Sequence, residues 1–299
     1  MNSWRRIGPV VAEVDATTEV RHAIAYAAQE ALRADAGLVL VAPYHRRPAR
    51  GGSATGSDPH APAAAAEAAL REAATAVRKR CGDRLEVSTA AGEGSRLKVL
   101  QRAAREARVL VVAREPDDSA GLVSTQGNLA LAGRIGCPLI AVPEGRGADP
   151  SDRVVVGIDG TPLSLEAVEF AFRAAADRRA TLTVVHSQDL PYRRFAADPG
   201  TWRERAALTV SETLAGWRDE YPEVQVTRLL TTRPVVSALA RESNHAGLIV
   251  IGAHAGPLPI GDPVARRIIA ELSCPVAIAA HHVTPAEAAR RRREIRAAS

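Results

Sequence analysis

The stretch Val154-Val155-Val156-Gly157-Ile158-Asp159-Gly160-Thr161 decides how the chain is read. Its aliphatic run has no polar alternation, as in a strand of a parallel sheet covered on both faces. Asp159, Gly160 and Thr161 then end the strand. Thr161 is placed to cap a following helix, with Pro162 at its first position. An echo stands 144 residues earlier, as Val10-Val11-Ala12-Glu13-Val14-Asp15-Ala16-Thr17.

Three more pairs follow in the same order. Ala36-Gly37-Leu38-Val39-Leu40-Val41 matches Ala180-Thr181-Leu182-Thr183-Val184-Val185 at an offset of 144. The run Ala107 to Ala113 matches Ala246 to Gly252 at 139, and Cys137-Pro138-Leu139-Ile140-Ala141-Val142 matches Cys274-Pro275-Val276-Ala277-Ile278-Ala279 at 137. A repeat this long is a whole domain rather than a solenoid unit. The spacing predicts a first domain over 1–143, a Pro- and Gly-bearing linker over 144–152, and a second domain over 153–283. A basic helix over 284–299 opens on the capping-box spacing of Thr284 and Glu287.

Helical patterns separate the aliphatic runs. Leu165, Val168 and Phe172 recur at helical spacing, as do Val264, Ile268 and Leu272. Pro234 opens a helix containing Val236 and Leu239. In the first half Val20, Ile24 and Ala27, and then Leu97, Leu100 and Ala104, do the same. Alternating strands and helices predict an α/β fold: two tandem doubly wound open sheets, each of five mostly parallel strands flanked by helices. Arg46 to Pro62, rich in Gly, Pro, Ser and Ala, reads as a loop after the second strand.

Composition narrows the function classes. Of 299 residues, 3% are aromatic, so surfaces on which bases could stack are scarce. The net charge is +5, but five arginines (Arg290, Arg291, Arg292, Arg293, Arg296) crowd the last 19 residues and leave the body near neutrality. No nucleic-acid surface is implied. The arginine run reads as a solvated helix face or as a contact for an anionic partner. No stretch approaches the ~20 apolar residues that span a bilayer, and the N-terminus does not read as a signal peptide. Cys81, Cys137 and Cys274 give neither a disulfide framework nor a metal spacing, and fit a reducing, cytoplasmic compartment. His281-His282 has no further ligands nearby, so no metal is expected.

Val154 to Thr161, Leu248 to Gly252 and Cys274-Pro275-Val276 together resemble the universal stress protein family, strongly in the second half and more weakly in the first. The resemblance implies the adenine nucleotide alpha hydrolase-like fold in tandem. It implies pairing of the two domains through their last strands within one chain, and it is compatible with a homodimer. It further implies a stress-response regulatory protein, not an enzyme, with ATP or AMP in the second domain. The site residues carried over are Ile158, Asp159, Ser187, Gly252, His254, Ala255, Gly261 and Val264.

The family's phosphate signature, Gly-x-x-Gly then Gly followed by Ser or Thr, is only partly met. Ala255 replaces its second glycine, Asp262 stands where a hydroxyl belongs, and Pro257, Pro259 and Pro263 each remove an N–H donor. In the first half Glu115, Asp117 and Asp118 would repel a triphosphate. Several residues also read as plain structure. Asp159 and Asp15 could cap helices, Gly252 could serve a tight strand exit, and His254 could be an exposed loop residue. Three functions therefore compete. One is a nucleotide-binding regulator, and another is a nucleotide-independent interaction protein in which the domain pair engages a protein partner. The third is an enzyme, against which stands the lack of a recognisable catalytic motif.

Overall fold

In the computed structural model the described residues are 8–15, 20–45, 60–114, 121–145, 153–161, 163–187, 199–254 and 263–281, with backbone alone at 20, 121–126, 163, 199–201, 254 and 281. The first repeat supplies β1 (Val10–Glu13), α1 (Val20–Arg33), β2 (Leu38–Tyr44), α2 (Ala61–Cys81), β3 (Val87–Glu93), α3 (Arg96–Ala103), β4 (Val109–Ala113), α4 (Gly121–Ala132) and β5 (Leu139–Val142). The second supplies β6 (Arg153–Ile158), α5 (Leu163–Arg178), β7 (Thr181–Ser187), α6 (Pro199–Thr213), α7 (Trp217–Glu220), β8 (Val226–Thr231), α8 (Val235–Ser243), β9 (Leu248–His254), α9 (Pro263–Glu271) and β10 (Val276–His281).

The two expected sheets are halves of one. The strand order is β3-β2-β1-β4-β5-β10-β9-β6-β7-β8. Neighbours within each half run parallel. The halves join where β5 and β10 pair antiparallel, Val276 opposite Ala141 and Ile278 opposite Leu139. All four residues of β5 are buried apolar side chains. An apolar strand of this kind cannot be left as an open edge without inviting aggregation, and pairing within the chain closes it.

Helices cover both faces. Val154 and Val156 of β6 face α1, α2, α5 and α6, whereas Val155 faces α3, α4, α8 and α9. The alternation follows from the two-residue period of a strand, and burial on both sides explains the unbroken valines. Val168 and Phe172 are fully buried as expected, but Leu165, on the first turn of α5, is 48% exposed. The loop expected over 46–62 ends earlier than its composition suggested. Ala61 and Pro62 form the first turn of α2, where proline costs nothing because its N–H would be unused. Residues 46–59, most of the linker and the basic C-terminal segment lie outside the described residues.

Side chains reinforce the junction. Arg178 of α5 donates to Tyr26 Oη at 3.0 Å and lies 2.5 Å from Glu30, both on α1. Arg108 bonds Asp177 at 2.7 Å. Arg178 and Glu30 are almost fully buried.

Candidate functional site at the carboxyl edge of the second half

In the second half the chain leaves β6 toward β7 and β8 on one side, and toward β9 and β10 on the other. Where the order reverses, the connections depart to opposite faces and a crevice opens beyond the strand ends. Such a crevice, of about 180 Å³, lies between β6 and β9. Gly157 and Ile158 line it from β6, and Ile251 and Gly252 from β9. Leu239 and Val235 of α8, and Ala265 and Ile268 of α9, form an apolar wall. Asp159, Ser164 and Ser187 supply its polar rim, and Val264, 42% exposed, stands at the mouth. The volume among the described residues is below the about 300–1,000 Å³ of whole small-molecule pockets.

Asp159 is anchored by its own turn. Its Oδ1 accepts from the Thr161 N–H at 2.9 Å and from the Thr161 and Ser164 hydroxyls, each at 2.7 Å. Ser164 Oγ accepts the Asp159 N–H at 3.0 Å. Partial burial raises the carboxyl pKa, but the hydrogen bonds from Thr161 and Ser164 outweigh it and hold the group below the ordinary carboxylate range. A depressed folded-state pKa stabilises the protein above the unfolded value of about 3.9, and that stabilisation is lost as pH falls through the folded value. Asp159→Asn is therefore expected to flatten the fall of the thermal midpoint between about pH 5 and pH 2. An unchanged profile would show that these bonds do not favour the ionised form. Gly160 completes the turn with φ +80°, and a Cβ there would come within 2.4 Å of Thr209 Cγ2. Gly160→Ala is expected to cost about 1–3 kcal/mol in chemical denaturation.

Five of the residues expected from the sequence, Ile158, Asp159, Ser187, Gly252 and Val264, surround this crevice. His254 ends β9 with its backbone opposite His281. Ala255 and Gly261 lie outside the described residues. Gly157, Ser164, Val235, Leu239, Ala265 and Ile268 were not singled out from the sequence. Their helical residues read as core, and only the position of their helices beside the strand ends brings them to the site.

At the corresponding edge of the first half, side chains bridge the ends of the strands and helices. Glu13 stands at the repeat position of Gly157, Arg96 at that of Val235, and Asn128 at that of Ala265. Arg96 grips Glu13 with two bonds of 2.6 Å and donates to Asn128 Oδ1 at 3.2 Å. Asn128 Nδ2 donates in turn to the Ala113 carbonyl at 3.4 Å. A bidentate guanidinium–carboxylate pair is short, directional and strong. It stands at positions that glycine, valine and alanine take in the second half. The carboxylates Glu115, Asp117 and Asp118, expected to repel phosphate there, lie outside the described residues.

Among the described residues no group of three His, Cys, Asp or Glu side chains could hold a metal ion. No helix among them is long and apolar enough to cross a membrane.

Comparison with known proteins agrees with the fold. Residues 150–280 match the model of the universal stress protein family. A universal stress protein of Mycobacterium tuberculosis (strain ATCC 25618 / H37Rv) is 34% identical over 134 residues, 42% of this chain and 44% of that one. Another from the same strain is 32% identical over 155 residues, 48% of this chain and 49% of that one. The chain spans about half the length of the curated relatives it matches, and their names are those of stress proteins rather than enzymes. A solved universal stress protein from Archaeoglobus fulgidus superposes with a TM-score of 0.67 at 11% identity, over 94% of this chain and 98% of that one. At that identity the likeness speaks for the fold alone, and it extends over both halves. Residues 150–280 thus carry a universal stress protein domain, and the same strand–helix architecture recurs in the first half.

Proposed function

We propose that the protein is a stress-response regulator that binds one adenine nucleotide, ATP or AMP, in the crevice of its second half and does not turn it over. The observation that carries this reading is the contrast between the halves. The same strand-end position is open and apolar between β6 and β9, but bridged by Glu13, Arg96 and Asn128 in the first half. The apolar wall suits an adenosine ring system, and the Asp159 turn and Ser187 offer polar contacts beside it. Asp159 Oδ1 is held by three hydrogen bonds, which suits fixed recognition better than proton transfer. The missing glycine and the three prolines of the phosphate loop weaken the phosphate end. ATP and AMP are therefore expected to bind within about tenfold of each other, with affinity set by the nucleoside.

Isothermal titration calorimetry of the full chain with ATP and with AMP tests this. Heat of binding with one site per chain supports it, and no heat at millimolar nucleotide removes it. A second reading has its own support in the β5–β10 junction and the ion pairs behind it. Here the chain acts as a nucleotide-independent interaction protein, its paired domains presenting one surface to a protein partner. Absence of binding heat would favour that reading.

A further inference from the structure

The antiparallel junction has a geometric consequence. It sets the carboxyl edge of each half beside the amino edge of the other. Helix α9 starts at the crevice, where Val264, Ala265 and Ile268 line it, and runs back to the amino edge of its own half. Its far end therefore meets the carboxyl edge of the first half. There Arg114 follows β4, its N–H tied to the Val142 carbonyl at 2.7 Å. Its guanidinium reaches across the junction and donates from Nη1 to the carbonyls of Ile269 at 2.8 Å and Leu272 at 2.5 Å. The last carbonyls of a helix have no partner within it, and a cation there also complements the helix dipole.

The pairing is one-sided. Ala253 stands at the repeat position of Arg114, so that position has no guanidinium to offer the end of α4. That end is held from within its own half, where Gln101 Nε2 donates to the Arg134 carbonyl at 2.8 Å. The first half thus grips the helix that walls the second half's crevice, with no matching grip returned among the described residues.

We infer that Arg114 is a positioning residue: through the carboxyl end of α9 it lets the first half set the shape, and so the ligand affinity, of the crevice in the second. Its consequence for affinity rests on the adenine-nucleotide reading above. Helix α9 has nine residues, about 14 Å. A helix this short is not stable alone and responds as one unit to the loss of an end. A displacement at Ile269 and Leu272 is therefore felt at Ala265 and Ile268. The coupling is reciprocal, so a ligand that orders the first turn of α9 also tightens the Arg114 contact.

The test uses the full chain with Arg114→Met, Arg114→Lys and a control, Arg108→Met, which breaks a different bond across the same junction. The first readout is hydrogen–deuterium exchange of the α9 amides without nucleotide. Arg114→Met is expected to speed exchange about tenfold along α9, including its first turn, while α4 is unchanged. Arg114→Lys should recover part of the protection, and Arg108→Met should leave α9 as it is. The second readout is calorimetric affinity for AMP. It should weaken about fivefold or more in Arg114→Met and stay constant in Arg108→Met. Unaltered α9 exchange in Arg114→Met would overturn the proposal. So would equal effects of both methionine variants, which would mark Arg114 as one more contact of the junction. If the unsubstituted protein gives no heat with AMP, the nucleotide reading fails, and the exchange experiment still decides the role of Arg114.

Discussion

Arg178→Met is expected to destabilise the protein by about 3–5 kcal/mol, the cost of stranding the partner of a buried ion pair. Arg178 is 4% exposed and Glu30 9%. Burial alone would lower the arginine's pKa, but Glu30 and the Tyr26 hydroxyl more than restore it, so the guanidinium stays charged. Burial, with Glu30 adding to it, pushes the Tyr26 phenol well above its ordinary range. Tyr26 therefore stays neutral and accepts the Arg178 N–H. Removing Arg178 leaves the Glu30 carboxylate with Arg33, 2.9 Å away on the same helix, which places the loss toward the lower end. The thermal midpoint should fall on the order of 10 °C. The double variant Arg178→Met/Glu30→Met should regain most of the stability, since the desolvation cost of both charges disappears together. If the double variant is no better than the single one, the pair is not the source of the effect.

The largest functional effect is expected from moving the first half's bridge into the second. Gly157→Glu with Val235→Arg recreates the Glu13–Arg96 pair at its repeat positions. A Cβ at Gly157 lies 3.3 Å from Leu239 Cδ1, a tight but side-chain contact that Leu239 can relieve by a small rotation. The new ion pair would then occupy the crevice, and nucleotide affinity measured by calorimetry should drop at least about a hundredfold. Far-ultraviolet circular dichroism should remain that of the unsubstituted chain. Retained affinity in a folded double variant would show that the ligand binds elsewhere.

Much of the architecture was legible because of how each strand is buried. The runs at β1, β4, β6 and β9 are covered on both faces, so they read as unbroken Val, Ile and Leu. The edge strands did not show themselves. In β3, Val-Ser-Thr-Ala-Ala-Gly-Glu has Ser88, Thr89, Ala90 and Ala91 exposed. In β8, Val226 to Thr231 carries Arg228. Neither shows the apolar run of an interior strand, and no periodicity distinguishes them from loops. The junction of the halves was anticipated only through the family resemblance. No pattern within Leu139 to Val142 says that its neighbour is Val276 to Ile278.

The site was legible in part for a similar reason. Asp159 and Gly252 announce themselves as strand-end residues. Val235, Ala265 and Ile268 are ordinary helix-core residues until the fold sets them around one space. The bridge in the first half was equally hidden. Glu13, Arg96 and Asn128 are separated by 83 and 32 residues, and no spacing rule joins them. The repeat offsets reveal them only once one member of each pair is known to line a crevice.

Photo-crosslinking with 2-azido-ATP, followed by peptide mapping of the full chain, tests the central claim most directly. One nucleotide per chain should be incorporated, in peptides from residues 153–187 and 248–272, and excess AMP should suppress it. Labelling of first-half peptides around Glu13 and Arg96, or labelling that AMP does not compete, would contradict a single adenine-nucleotide site in the second half.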